Sequence, residues 1–261
     1  MHYLKMSMEE LNPRLPAHTY PANLQCYLRD DLQPGLKVPL VLTMPGGGYS
    51  CCAPHEGDPI SFQYLAAGYH AMTLNYSCAP DRYPTALFQV TASILWAREH
   101  ADEYGIGKVF VCGFSAGGHL TASSGILWKE PVLSETLGVD AKLLRPDGMI
   151  LGYPVLIWGD LAHKGSFYNL LGQNLPEETY AKFSLEKRVD NDTCPAFLWH
   201  TFADGGVPVE NSLRLADALR AHKIPFELHI YPKGGHGLGL ALGDPHVASW
   251  MKLACQWIAL V

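Results

Sequence analysis

Four short segments hold side chains and amides that could act together. Ser115 stands in Gly113-Phe114-Ser115-Ala116-Gly117, after the apolar run Val109-Phe110-Val111-Cys112 and before Gly118-His119-Leu120-Thr121-Ala122. This pattern holds a serine at the tip of a sharp strand-to-helix turn, where flanking glycines let strand and helix pack around a strained backbone. A serine hydroxyl is a poor nucleophile until a base takes its proton, and the base needs a carboxylate to fix its tautomer. Asp204, in Trp199–Pro208, follows the run Ala196–Trp199, and His236, in Lys233-Gly234-Gly235-His236-Gly237, follows Phe226–Tyr231. In a parallel sheet such positions, just past strands, share one rim. The order Ser115, Asp204, His236 is the order expected when the nucleophile lies on such a turn.

The fourth segment is Gly46-Gly47-Gly48, after the run Val38–Met44. Attack on a carbonyl puts negative charge on its oxygen, and each aimed backbone donor stabilises that charge by on the order of 3–4 kcal/mol. The amides of Gly47, Gly48 and Ala116 are the candidates. Among rival acids, Asp147 precedes its strand and Asp160 lies in an irregular stretch, so both fit less well; Asp192, just before Pro195, is the more serious rival if the sheet ends elsewhere. His119 and His200 read as packed or hydrogen-bonded structural residues, and His55-Glu56-Gly57-Asp58 as capping and loop chemistry.

These residues need elements to carry them. The periodicity predicts strands near Leu24–Leu28 and over Val38–Met44, His70–Tyr76, Lys108–Cys112, Met149–Leu151, Pro195–Trp199 and Phe226–Tyr231. Helices are expected after an Asp58 N-cap with Pro59 at the first turn, over Pro84–Tyr104, from the serine turn to about Trp128, over Pro208–His222, and over Pro245–Leu260. The alternation implies an α/β fold: a mostly parallel, doubly wound sheet with helices on both faces. Tyr153–Cys194 breaks the rhythm and reads as a small cap insertion, so residues 1–261 are expected to form one domain with a cap over about 153–194. Its aromatics read mainly as cap core. A cap must still line an acyl or alcohol pocket, and Tyr49, Tyr153 and Trp158 are the candidate substrate contacts.

Bulk properties narrow the partners. The net charge of −6, with no Lys/Arg-rich run, argues against nucleic acid or an anionic membrane. No stretch approaches a membrane span, and the first ten residues lack the apolar core of a signal peptide. Seven scattered cysteines without C-x-x-C spacing read as reduced thiols, which points to the cytoplasm. No His-x-x-x-His or clustered Cys/His spacing calls for a metal, and the chemistry needs no cofactor. Nothing in the residues specifies an oligomeric state.

The chain resembles the α/β-hydrolase superfamily, and more narrowly the small bacterial acetyl, acetyl-xylan and feruloyl esterases. The resemblance rests on Pro45–Tyr49, Gly113–His119, Tyr153-Pro154-Val155, His200–Ser212 and Pro232–Gly237, spanning roughly residues 38 to 240. It implies Ser115 as nucleophile, His236 as base and Asp204 as its carboxylate. Pro45 stands where the hormone-sensitive-lipase pattern has His. The implied activity is hydrolysis of short-acyl esters of sugars or small aryl alcohols, with a small-molecule ester as the partner. Amide hydrolysis on the same three residues, or a binding protein that has lost catalysis, are the alternatives.

Overall fold

The computed structural model describes residues 1–261. Its strands are β1 (His2–Ser7), β2 (Asn23–Leu28), β3 (Val38–Met44), β4 (His70–Asn75), β5 (Ile106–Phe114), β6 (Gly148–Gly152), β7 (Ala196–Thr201) and β8 (Phe226–Tyr231). They form one sheet in the order β1-β2-β4-β3-β5-β6-β7-β8. β1 and β2 pair antiparallel, β2 pairs antiparallel with β4, and every other pairing is parallel. The carboxyl ends of β3 through β8 therefore share one rim.

The helices are α1 (Met8–Leu11), α2 (Asp58–Ala66), α3 (Thr85–Glu99), α4 (Ala101–Tyr104), α5 (Ser115–Ile126), α6 (Pro131–Leu137), α7 (Lys164–Leu171), α8 (Glu177–Ala181), α9 (Glu210–Ala221) and α10 (Pro245–Leu260). Strand side chains alternate between faces. On β5, Val109 and Val111 join α3, α5 and α9 in the larger core, while Phe110, Cys112 and Phe114 join α2 and α10 in the smaller one. Burial on both faces explains why the central strands read as unbroken apolar runs. No helix is long and apolar enough to cross a membrane.

Several expected boundaries move. Asp58 is not the N-cap of α2: Gly57 is, and the Asp58 carboxylate instead accepts weakly from Gln25 Nε2 on β2. The expected helix over Pro84–Tyr104 breaks at His100, whose Nδ1 donates to the Trp96 carbonyl and whose ring stacks on Trp96. β5 extends beyond Lys108–Cys112 at both ends, and β7 continues past Trp199 to Thr201. β1 and α6 lie where no element was expected. β1 is an edge strand exposed along much of its length, so it carries little apolar signal.

Candidate active site

The serine turn is built by backbone crowding. Phe114 ends β5 with extended dihedrals, and Ser115 turns to φ 52° before α5 begins. This left-handed conformation is uncommon for a side chain other than glycine and aims the hydroxyl out of the helix axis. A Cβ on Gly117 would lie 2.3 Å from the carbonyl oxygens of Met44 and Pro45, so only glycine lets α5 approach β3 this closely. Every residue of α5 is buried, Ser115 at 7% exposure.

The three loops meet above this turn. Ser115 Oγ lies 2.8 Å from His236 Nε2, and His236 Nδ1 lies 2.8 Å from Asp204 Oδ2. With the carboxylate accepting from Nδ1–H, Nε2 is left as the acceptor for the serine proton. Asp204 Oδ1 accepts from the amides of Gly206 and Val207, at 2.8 and 2.9 Å. Oδ2 also faces His200 Nε2 at 3.4 Å. Burial alone would raise the Asp204 pKa, but the hydrogen bonds from His200, His236 and the Val207 amide hold it well below the usual carboxylate range. The carboxylate thus stays ionised beside the imidazole. His200 is itself buried, with Nε2 donating to the Val207 carbonyl and Nδ1 accepting from Ser212; it braces the aspartate loop.

Across from the imidazole lies the glycine loop. Gly47 adopts φ 123°, a conformation open only to glycine, and its carbonyl closes a turn with the amides of Ser50 and Cys51. The amides of Gly47 and Gly48 donate to no protein acceptor. Ala116 is the second residue of α5, within the turn whose N–H groups lack intrahelical partners. The cleft between loop and imidazole, about 360 Å³, is lined by Gly47, Gly48, Ser115, His163, Asn169 and His236 among others. A hydroxyl with its base, a buried carboxylate and free amides around one cleft can attack a carbonyl and hold the resulting oxyanion.

Comparison with known proteins follows the same lines. Residues 24–143 match the BD-FAE family and residues 158–259 the prolyl oligopeptidase family. The structure of an acetyl ester-xyloside bifunctional hydrolase from Caldicellulosiruptor lactoaceticus superposes with a TM-score of 0.87 at 35% identity, covering 98% of this chain and 95% of that one. This chain belongs to the esterase family of α/β hydrolases. The carboxylesterase Cest-2923 from Lactobacillus plantarum superposes with a TM-score of 0.80 at 27% identity, covering 99% of this chain and 97% of that one. Endo-1,4-beta-xylanase B of Butyrivibrio fibrisolvens is 36% identical over 239 residues, 87% of this chain and 36% of that protein. The chain spans between about a quarter and three-fifths of the length of the curated relatives it matches.

Within this α/β hydrolase, the expected substrate contacts take other positions. Tyr49 is buried, with its hydroxyl donating to His119 Nδ1, and it lines a small apolar recess with Val155, Phe167 and Leu170 rather than the cleft rim. Tyr153 is buried, its ring nearly perpendicular to that of His236, 5.0 Å between centroids. Trp158 stacks on Tyr180 and donates to Glu177 inside the segment between β6 and β7. None of the three lines the cleft; each is large and apolar enough that packing claims it first.

His119 is structural as expected: Nε2 donates to the Phe183 carbonyl, and burial lowers its pKa to about 4, keeping it neutral. Of the rival acids, Asp147 pairs with Arg98 and Asp192 with Lys129, both far from the cleft in role.

Three cleft residues escaped the sequence reading. His163 lines the cleft with Nδ1 against Ser166 Oγ at 2.8 Å, its pKa lowered first by burial and then by His236. Asn169 Nδ2 donates to the Gly48 carbonyl at 2.9 Å. Glu56 is buried, 2% exposed, and its carboxylate accepts from the Gly46 amide at 2.8 Å and the Tyr153 hydroxyl at 2.5 Å. Only Glu56 carried a signal: an acid a few residues past the glycine loop.

Proposed function

We propose that this chain hydrolyses short-acyl carboxylic esters through an acyl-enzyme, with acetylated sugars or small aryl esters as substrates. Ser115 Oγ attacks the acyl carbon as its proton passes to His236 Nε2, and Asp204 stabilises the imidazolium through Nδ1–H. The carbonyl oxygen becomes an oxyanion held by the amides of Gly47, Gly48 and Ala116. His236 then protonates the departing alcohol oxygen as the tetrahedral centre collapses to the acyl-serine. Water enters, gives a proton to His236 and attacks the ester. Its collapse returns the proton to Ser115 and frees the carboxylic acid. No metal or cofactor takes part in these steps.

The observation that carries this reading is the unbroken line from Ser115 Oγ through His236 to Asp204, each link 2.8 Å. The names of the relatives support the substrate class. The segment 153–194 is read as a small cap on one α/β-hydrolase domain. Its Trp158, Phe167 and Tyr180 form a core of their own with Val155 and Val207, while His163 and Asn169 reach the cleft wall.

Turnover of p-nitrophenyl acetate tests the reading. Ser115→Ala should lower kcat by about 10⁵–10⁶-fold, as for other serine nucleophiles, with an unchanged far-ultraviolet spectrum. Activity retained in that variant would sink the proposal. The prolyl oligopeptidase match covers the segment that holds Asp204 and His236 and favours amide hydrolysis as the second reading. Rates on matched p-nitrophenyl esters and p-nitroanilides separate the two.

A further inference from the structure

Glu56 plays no part in the proton transfers above, yet its carboxylate lies between two of the loops that perform them. It sits on a single 3₁₀ turn, Pro54–Glu56, that follows the glycine loop. One oxygen accepts from Gly46 N–H, the amide immediately before Gly47 and Gly48, two of the three proposed oxyanion donors. The other accepts from Tyr153 O–H, and the Tyr153 oxygen in turn accepts from Gly239 N–H at 2.8 Å, three residues past His236. The Tyr153 and His236 rings stand nearly perpendicular, and the neighbouring His55 Nε2 lies 3.0 Å from the Gly237 carbonyl oxygen. The space is tight: a Cβ on Gly46 would stand 2.5 Å from the carboxylate and 2.9 Å from Ser115 Cβ. Tyr153 itself sits in the left-handed region at φ 35°, a position a tyrosine keeps only when its surroundings impose it.

Counting donors shows why a carboxylate is needed. Gly46 N–H and Tyr153 O–H both donate toward one buried side chain, and the tyrosine oxygen already accepts from Gly239. Two acceptor oxygens satisfy both donors, and an ionised one makes each bond stronger. A glutamine offers one oxygen, and its NH₂ would face a donor, leaving a buried polar group unpaired.

We infer that Glu56 is a positioning residue that joins the oxyanion loop to the histidine loop through Tyr153, so that donor amides and base hold one mutual geometry. The inference rests on the ester-hydrolase reading. A unit of this kind acts on the transition state more than on substrate binding.

The test compares Glu56→Gln, Tyr153→Phe and the double variant on p-nitrophenyl acetate, with Ser115→Ala alongside. Hydrogen exchange of the peptide covering Gly237–Leu240 is followed in each folded variant. Each single change should lower kcat about 10–100-fold with KM within about twofold. The double should fall no more than about threefold below Glu56→Gln, because one unit is broken once. Exchange at Gly237–Leu240 should quicken in Glu56→Gln although the substitution lies on another loop. A Glu56→Gln kcat within twofold of the parent, multiplicative singles, or unchanged exchange in the histidine loop would each overturn the inference. If Glu56→Gln does not fold, Tyr153→Phe decides alone by the same kcat and exchange criteria. Activity surviving in Ser115→Ala would instead condemn the underlying reaction and leave the exchange result to judge the linkage.

Discussion

Ser115 and His236 touch one another but are held by different means. The serine lies at the end of the central strand, in a turn where glycines let α5, β3 and β5 come within van der Waals distance backbone to backbone. The histidine lies on the Lys233–Gly239 loop at the exposed rim, and side-chain bonds from Asp204, Tyr153 and His55 locate it and its neighbours. One partner is thus placed by steric exclusion within the fold, the other by polar groups drawn from distant segments. Damage to the glycine packing beneath the serine should appear as lost stability, and loss of the bonds around the histidine as lost turnover in a folded protein.

That contrast can be broken in order of expected effect. Asp204→Asn leaves a shape-matched side chain, but its amide disfavours the Nδ1–H tautomer. It should lower kcat by about 10³–10⁴-fold, as read by steady-state kinetics on protein that calorimetry shows to be folded. Gly117→Ala drives a methyl toward two carbonyl oxygens 2.3 Å away. It should destabilise the fold by about 3 kcal/mol, measured by urea unfolding. A Gly117→Ala protein of parental stability would show that the turn is looser than its contacts imply.

The smallest effect concerns pH. His119 has its folded pKa lowered to about 4, against about 6.5 when exposed. Between those values the unfolded chain takes up a proton that the native protein refuses. Its contribution is therefore complete above pH 6.5 and shrinks as pH falls toward 4. Between pH 7.5 and 5 the parent should lose about 2 kcal/mol more unfolding free energy than His119→Gln. Equal slopes for the two proteins would remove His119 from the account.

How far the molecule could be read from its residues follows the same division. The parallel strands β3 to β7 announce themselves because strands buried on both faces leave apolar runs, β8 shows only by its alternation of apolar and polar residues, and the loops after β5, β7 and β8 carry Ser115, Asp204 and His236. The edge strand β1 stays hidden because an edge buries little. Aromatics in the 153–194 segment show that something packs there, yet not what. The expected contacts Tyr49, Tyr153 and Trp158 go to the interior, and His163 and Asn169 reach the cleft from α7 and the turn before it. Such placements depend on side chains meeting across more than a hundred residues, as Asn169 meets Gly48, and no local pattern encodes them. Glu56 is the intermediate case, an acid whose neighbours only tertiary structure could supply.

Tyr49, Ser115 and Tyr153 all hold left-handed backbone, at φ 57°, 52° and 35°, around one site. Each such residue costs about 1–3 kcal/mol, so the rest of the sheet and its helices must sustain a local tension of several kcal/mol. A relaxed version of this rim would be a sturdier protein with its hydroxyl pointing elsewhere.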